Sequence, residues 1–309
     1  MKRQIKRKNI FIILVMMLFF LLSFCACSFL NSPIASKPST SSMPIADLSD
    51  IAVAPESSDE LIIDCIPALG GDSFLLINSD MAMLIDAGID SAYPEIDQTL
   101  KAYDIDFIDI VIITHPHKDH IGGMQEVIDN YDIGTLYMID YVHDSDNYNV
   151  LITVIDQKNV DVVYAKAGMA FTFGDAKCLI LNPQQKLFKD VNNNSIVLKL
   201  TYQNKHFLFT GDMEKKAEKV LMSMPFNLKS DFLKVGHHGK DDASGKRFLN
   251  AVSPQYALIP SKNDDTYEKI MNRLEENGVD VAVILDGDHM RYYCKDGMIS
   301  YDYYDNFTY

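Results

Sequence analysis

Cysteine is scarce: five in 309 residues, of which only Cys65, Cys178 and Cys294 lie beyond position 27. An odd number at wide spacings is no disulfide framework. The three read as buried free thiols, with a single bridge as the alternative. Positive charge is short as well, since 28 Lys and Arg face 43 Asp and Glu for a formal net charge of −15. That balance excludes broad attraction to nucleic acid or anionic lipid, so a nucleic-acid partner is not favoured and would need a local basic groove. There is no Gly-x-Ser-x-Gly elbow, and no histidine stands beside any of the three cysteines. A covalent route therefore lacks its nucleophile. No repeat of fixed period occurs, and apolar runs of membrane length are confined to the N-terminus.

That N-terminus is a separate object. "MKRQIKRKN" carries five Lys or Arg residues and is followed by the uncharged "IFIILVMMLFFLLSF". A basic start, an apolar run and small residues around cysteine read as an export signal over 1–27. In "SFCACS", Cys27 between Ala26 and Ser28 resembles a bacterial lipoprotein processing site and is the expected point of lipidation. An uncleaved anchor and plain secretion are the alternatives. Residues 28–60, rich in Ser and holding four Pro, read as a flexible tether. The expectation is an extracytoplasmic domain, residues 61–309, attached to the membrane through an N-terminal lipid or anchor.

Within 61–309 short apolar runs alternate with helical spacings. "ELIIDCIPAL", "SFLLINS", "MAMLIDAG" and "IDIVIITH" predict strands, and "PEIDQTLKAYD", "IGGMQEVIDNYD", "NVLITVIDQKN", "EKKAEKVLMSM", "GKRFLNAV" and "DTYEKIMNRLEENG" predict helices. "SIVLKLTYQNKHFLFTGD" predicts a hairpin. The order means a layered α/β fold with two mixed sheets face to face and helices outside.

Of only eight histidines, three crowd with an aspartate into "THPHKDHIGG" as His115, His117, Asp119 and His120. Imidazole and carboxylate are ligands for a borderline divalent cation such as zinc. On an extended loop His115 and His117 point to one side, and a turn at Lys118 sends Asp119 and His120 another way. One loop can thus serve two ions if other segments supply the remaining donors. "FLFTGD" ends in Asp212, and "FLKVGHHG" ends in His237 and His238. Taken singly, each is an ordinary polar loop residue. Together they indicate a metal site.

"THPHKDHIGG" resembles the HxHxDH signature of the metallo-β-lactamase superfamily, and "LLINSDMAMLIDAG", "FLFTGD" and "VGHHG" resemble its flanking motifs in the right order. Within it, "NNNSIVLKLTYQNKHFLFTGD" followed by "LKVGHHG" is similar to ComEC-type competence proteins and to surface phosphorylcholine esterases. The resemblance implies a four-layer αββα sandwich. It implies His115 and His117 on one metal, Asp119 and His120 on the second, Asp212 bridging, and His238 as last ligand with His237 facing substrate, or the reverse. It implies supporting roles for Asp86 in "LIDAG" and Asp72 in "GGDS". Relatives usually carry a further histidine where this chain reads "VNNN". That leaves the first metal with His115, His117 and Asp212, with Asn192 or Asn193 nearby, and puts the number of ions, one or two, in doubt.

The implied reaction is hydrolysis in which paired cations bring a shared water toward a neutral pKa and Asp119 orients it. The cofactor expected is zinc, with manganese second. The bond expected is a phosphodiester in a small-molecule, nucleic-acid or cell-envelope substrate, with Lys240, Ser244 and Asn193 as substrate contacts. A lactam or thioester hydrolase, and a surface binding module without turnover, are the alternatives. His143, His206 and His289 read as solvated loop or turn residues.

Overall fold

The computed structural model describes residues 60–261, 267–285 and 287–304. The expected export signal, Cys27 and the tether to residue 59 lie outside the described residues. Among those described, no helix is long and apolar enough to cross a membrane.

Strand alternation builds the core. In β1 (Glu60–Cys65) Leu61, Ile63 and Cys65 enter one apolar cluster while Ile62 enters another, as the two-residue period of a strand buried on both faces requires. β1 opens an antiparallel run through β2 (Phe74–Asn78) to β3 (Met81–Ile85). β4 (Phe107–Ile112), β5 (Asp132–Met138) and β6 (Asp161–Tyr164) then add in parallel. The second sheet starts with the antiparallel strands β7 (Ala170–Phe173), β8 (Ala176–Asn182), β9 (Val197–Tyr202) and β10 (Lys205–Phe209). It continues in parallel through β11 (Phe232–Lys234), β12 (Tyr256–Pro260) and β13 (Asp280–Ile284). The closing hairpin β14 (His289–Lys295) and β15 (Met298–Tyr304) returns to β1, giving an eight-stranded and a seven-stranded sheet.

Helices cover the outer faces. α1 (Tyr93–Ala102), α2 (Lys118–Ile121), α3 (Met124–Asn130) and α4 (Asp146–Lys158) cover the first sheet, seating Ile96, Leu100, Ile121, Met124 and Leu151 against it. α5 (Lys215–Leu221), α6 (Lys246–Val252) and α7 (Glu268–Glu275) cover the second through Leu221, Phe248 and Ile270. The inter-sheet cluster, with Phe74, Phe207, Phe209 and Phe232, lies between. This is the expected αββα sandwich.

Two helices depart from their sequence reading for visible reasons. α4 begins three residues before "NVLITVIDQKN" because Ser145 Oγ accepts the Tyr148 N–H at 3.3 Å and caps it. The predicted helix after the histidine cluster is instead two pieces, broken at Gly122–Gly123, with α2 starting inside the cluster. Gly122 packs so close to residues 89 and 90 that a Cβ would lie 2.3 Å from the Asp90 nitrogen. The three cysteines are free and buried, as expected.

Two histidines depart from their reading as solvated turn residues. His289 is buried, not solvated: it is ion-paired with buried Asp64, which also accepts Arg291 Nε and Nη2 at 3.0 and 2.8 Å and the Tyr103 hydroxyl at 3.0 Å. Strand pairing sets Asp64 opposite Arg291, on the face that lies under the end of α1. Burial works against the Asp64 charge, but His289 and Arg291 outweigh it and hold the carboxyl below its usual range. His206, read as a turn residue, lies half-buried in β10 with Nδ1 3.0 Å from Thr201 Oγ1.

Candidate metal centre

β4 and β5 run parallel, and β9, β10 and β11 bring the second sheet's loops to the same edge, where Ile196 N–H donates to Thr114 O at 2.9 Å. After β4 the chain stays extended through His117, then closes the single turn of α2. His115 Nε2 and His117 Nδ1 therefore face each other at 3.1 Å, while Asp119 and His120 project from the turn. Gly71 lets the β1–β2 loop press on that turn. A Cβ there would sit 2.1 Å from Asp119 O, and its neighbour Asp72 donates its N–H to the same oxygen at 3.1 Å.

Asp212 follows β10, and His237 and His238 follow β11. The structure brings all of these sequence-predicted ligands together. Asp212 Oδ2 lies 3.8 Å from His115 Nε2, 3.4 Å from His120 Nε2, 3.4 Å from His238 Nε2 and 3.9 Å from His237 Nε2. Asp119 Oδ2 lies 3.6 Å from His238 Nε2. Ligands about 2.0–2.1 Å from a tetrahedral ion are roughly 3.3 Å apart, so these separations suit donors that share cations. Two buried atoms aimed into the space, His120 Nε2 and His238 Nε2, have no hydrogen-bond partner among the described residues, and neither has Asp212 Oδ1 behind them. Buried polar atoms are seldom left so, and the donor set fits divalent metal.

The imidazoles are oriented from behind. His120 Nδ1–H donates to Asp86 at 2.8 Å, His237 Nδ1–H to Asp242 at 2.9 Å, and His238 Nδ1–H to Pro260 O at 3.2 Å. Each pairing leaves Nε2 as the inward donor. Asp86 also accepts Thr114 N–H at 2.8 Å and Thr114 Oγ1–H at 2.6 Å, so it ties the start of the ligand loop to its third histidine. Asp72 lies 3.5 Å from His238 Nδ1 and is ion-paired with Lys234.

Burial pushes the His115 imidazole well below its usual pKa, with His120 adding to the effect; His117 is lowered for the same two reasons. Both keep a free lone pair. For His120 and His238 burial pulls the same way but is outweighed, by Asp212 and Asp86 for His120, which rises well above normal, and by Asp212 and Asp72 for His238, held at about 9. Burial opposes charge on Asp212 and Asp119 too, yet the histidines around them hold both below the usual carboxylate range. Acids and imidazolium groups thus balance one another where cations would stand in for the protons.

The residues expected to contact substrate divide. Lys240 Nζ approaches His237 Nε2 at 2.9 Å from the exposed rim. Asn193 is buried with both ends of its amide engaged, Nδ2 on Glu214 at 2.7 Å and Oδ1 on Ala217 N–H at 3.0 Å. Ser244 is buried with Oγ accepting Gly236 N–H at 3.3 Å. These two hold loops and do not line the opening; Asn192, 3.3 Å from His237 Nε2, is the neighbour that does. Three further residues went unremarked or were set aside in the sequence. Asp242 orients His237. Half-buried His143 stacks edge-on to His117 with ring centres 5.7 Å apart. Lys234 is buried beneath the site; its signal was a charge two residues after Phe232, hence on the same inward face.

The family model of the metallo-beta-lactamase superfamily matches residues 66–261. The chain belongs to this superfamily. Two competence proteins are similar to it: ComE operon protein 3 of Bacillus subtilis (strain 168), 26% identical over 186 residues, and competence protein ComA of Neisseria gonorrhoeae, 30% identical over 217. The first match covers 59% of this chain and 24% of the relative, the second 68% and 29%. The chain therefore spans under a third of either relative's length. Among solved structures, CmlA, a diiron beta-hydroxylase from Streptomyces venezuelae, shares the fold at a TM-score of 0.53 and 13% identity, over 77% of this chain and 55% of that one. This member of the metallo-beta-lactamase superfamily is hydrolase-like, with candidate metal-binding groups in place.

Proposed function

We propose that the chain is an extracytoplasmic, metal-dependent phosphodiesterase. The observation that carries this reading is the convergence of four imidazole Nε2 atoms within 3.9 Å of one oxygen, Asp212 Oδ2. His115, His117 and His237 would hold one ion on one side of it. Asp119, His120 and His238 would hold the other. His237 thus takes the place left open by "VNNN", which removes the main motive for a binding module without turnover. Zinc suits this nitrogen-rich set, with manganese second.

Bound in pairs, such ions supply Lewis acidity and bring the pKa of water toward neutrality. Asp119, 29% exposed, reaches the open side and stays ionised, so it orients the attacking water by accepting its hydrogen bond. Lys240 presents an ammonium at the rim beside His237, where it would meet a phosphate oxygen. Asp242 keeps His237 in the tautomer that binds. A diester of the cell envelope is the first candidate, although a net charge of −15 gives no broad attraction to any polyanion. The competence relatives make DNA the other candidate, and the signal-like residues 1–27 support action outside the cytoplasm.

The purified chain is expected to bind zinc or manganese and to cleave bis-p-nitrophenyl phosphate, with turnover abolished by Asp119→Ala. Teichoic-acid-like polymer and DNA, tested side by side, would then name the substrate. Reconstituted protein that cleaves no diester overturns the proposal.

A further inference from the structure

We propose that Lys234 is a positioning residue that makes the Asp212 bridge a one-oxygen bridge; this rests on the two-cation reading above. Lys234 ends β11 on the inter-sheet face, and its side chain is 1% exposed. An ammonium has no lone pair to offer a metal, and one so buried cannot reach substrate. Its ammonium donates to Gly211 O at 2.9 Å, pairs with Asp72, and stands 3.7 Å from Asp212 Oδ1.

That last distance divides the Asp212 carboxylate between two environments. Oδ2 faces four imidazole nitrogens. Oδ1 has no hydrogen-bond partner among the described residues, and the buried ammonium is the positive charge it faces. A carboxylate between two cations can bridge through one oxygen or through both. Were Oδ1 free, it would turn toward the cations, because an anionic oxygen in a dry interior seeks the nearest positive charge. Lys234 holds it back. Asp72 holds Lys234 in turn, and through its backbone N–H on Asp119 O it ties the ammonium to the ligand turn of the opposite sheet. One buried charge therefore sets the bridging mode and fixes it relative to both loops.

Lys234→Met alone strands the Asp72 carboxylate in the interior, so the deciding variant is Lys234→Met/Asp72→Asn, which removes both members of the ion pair. The full chain, the double variant and Asp72→Asn are loaded with Mn(II) and compared by ion stoichiometry and by the electron paramagnetic resonance spectrum of the pair. Wild type and Asp72→Asn are expected to show the same exchange-coupled spectrum, and the double variant, its bridge now through both oxygens, a coupled spectrum with a changed exchange splitting. Lys234→Gln/Asp72→Asn, which can still donate to Gly211 O but carries no charge and strands no carboxylate, is expected to show the same change and serves where the first double variant does not fold. A structural ion pair alone predicts that both double variants keep the wild-type spectrum. That result overturns the inference and leaves the site reading intact. Wild-type protein with no coupled pair overturns both.

Discussion

Replacing Asp86 by asparagine changes one atom and should undo one cation position. Asp86 Oδ1 accepts Thr114 N–H at 2.8 Å, while Oδ2 accepts Thr114 Oγ1–H at 2.6 Å and His120 Nδ1–H at 2.8 Å. A backbone N–H can only donate, so the single oxygen of the new amide must stay on Thr114 N. Its NH2 then faces Thr114 Oγ1 and His120 Nδ1. The hydroxyl can rotate to accept, but the imidazole can accept only by moving its proton to Nε2, the atom that faces Asp212 at 3.4 Å. Partners of this kind are worth about 10- to 100-fold in metal affinity, or about 1.4–2.8 kcal/mol. The ion held by Asp119, His120 and His238 should weaken by that factor in chelator-competition titration, while the ion on His115, His117 and His237 keeps its affinity. Unchanged affinity at both positions, with circular dichroism unaltered, would refute the idea that His120 binds through Nε2 under the direction of Asp86.

Three further outcomes follow from buried charge. Glu218 is 2% exposed and accepts Gly245 N–H at 3.0 Å; burial pushes its carboxyl from 4.5 up to about 7. Its stabilising share is present below pH 4.5 and is lost as pH rises through 7, because the unfolded chain ionises first. The gap corresponds to on the order of 3 kcal/mol. Glu218→Gln should therefore be more stable than wild type in urea at about pH 8 but not at about pH 4, and equal differences at both pH values would refute this. Asp64→Ala leaves His289 and Arg291 buried without their anion, which should cost about 3–5 kcal/mol in urea unfolding; a loss under about 1 kcal/mol would show the network to be slack. Zinc uptake near neutral pH should release protons, since His120 is held above normal and His238 at about 9 and both must shed a proton to bind. Affinity should fall as pH drops, and calorimetry in two buffers showing no proton release would contradict it.

The sequence announces the donors but not what stands behind them. His115, His117, Asp119 and His120 are readable because one loop must carry them all, and Asp212 because an apolar strand stops there. Asp86 was reached through family likeness; its contact with His120 spans 34 residues. His289 misled because its neighbours look like a turn, while its partner Asp64 lies 225 residues away. Asn193 misled differently, since in a run of three asparagines the sequence cannot say which faces the opening, and only the 3-10 turn Val191–Asn194 turns Asn192 toward His237. Layer order survived such errors because alternation fixes which face of a strand is inward, whatever its polar partners do.

His237 and His238 occupy successive left-handed backbone conformations, with φ of 49° and 52°, at a cost of roughly 1–2 kcal/mol each for a side chain bearing Cβ. Glycine at either position would relax the loop and toughen the protein while silencing it. The segment is therefore a latent tension held taut by whatever fills the space before it, and selection for durability alone would pull this chain away from chemistry at that very turn.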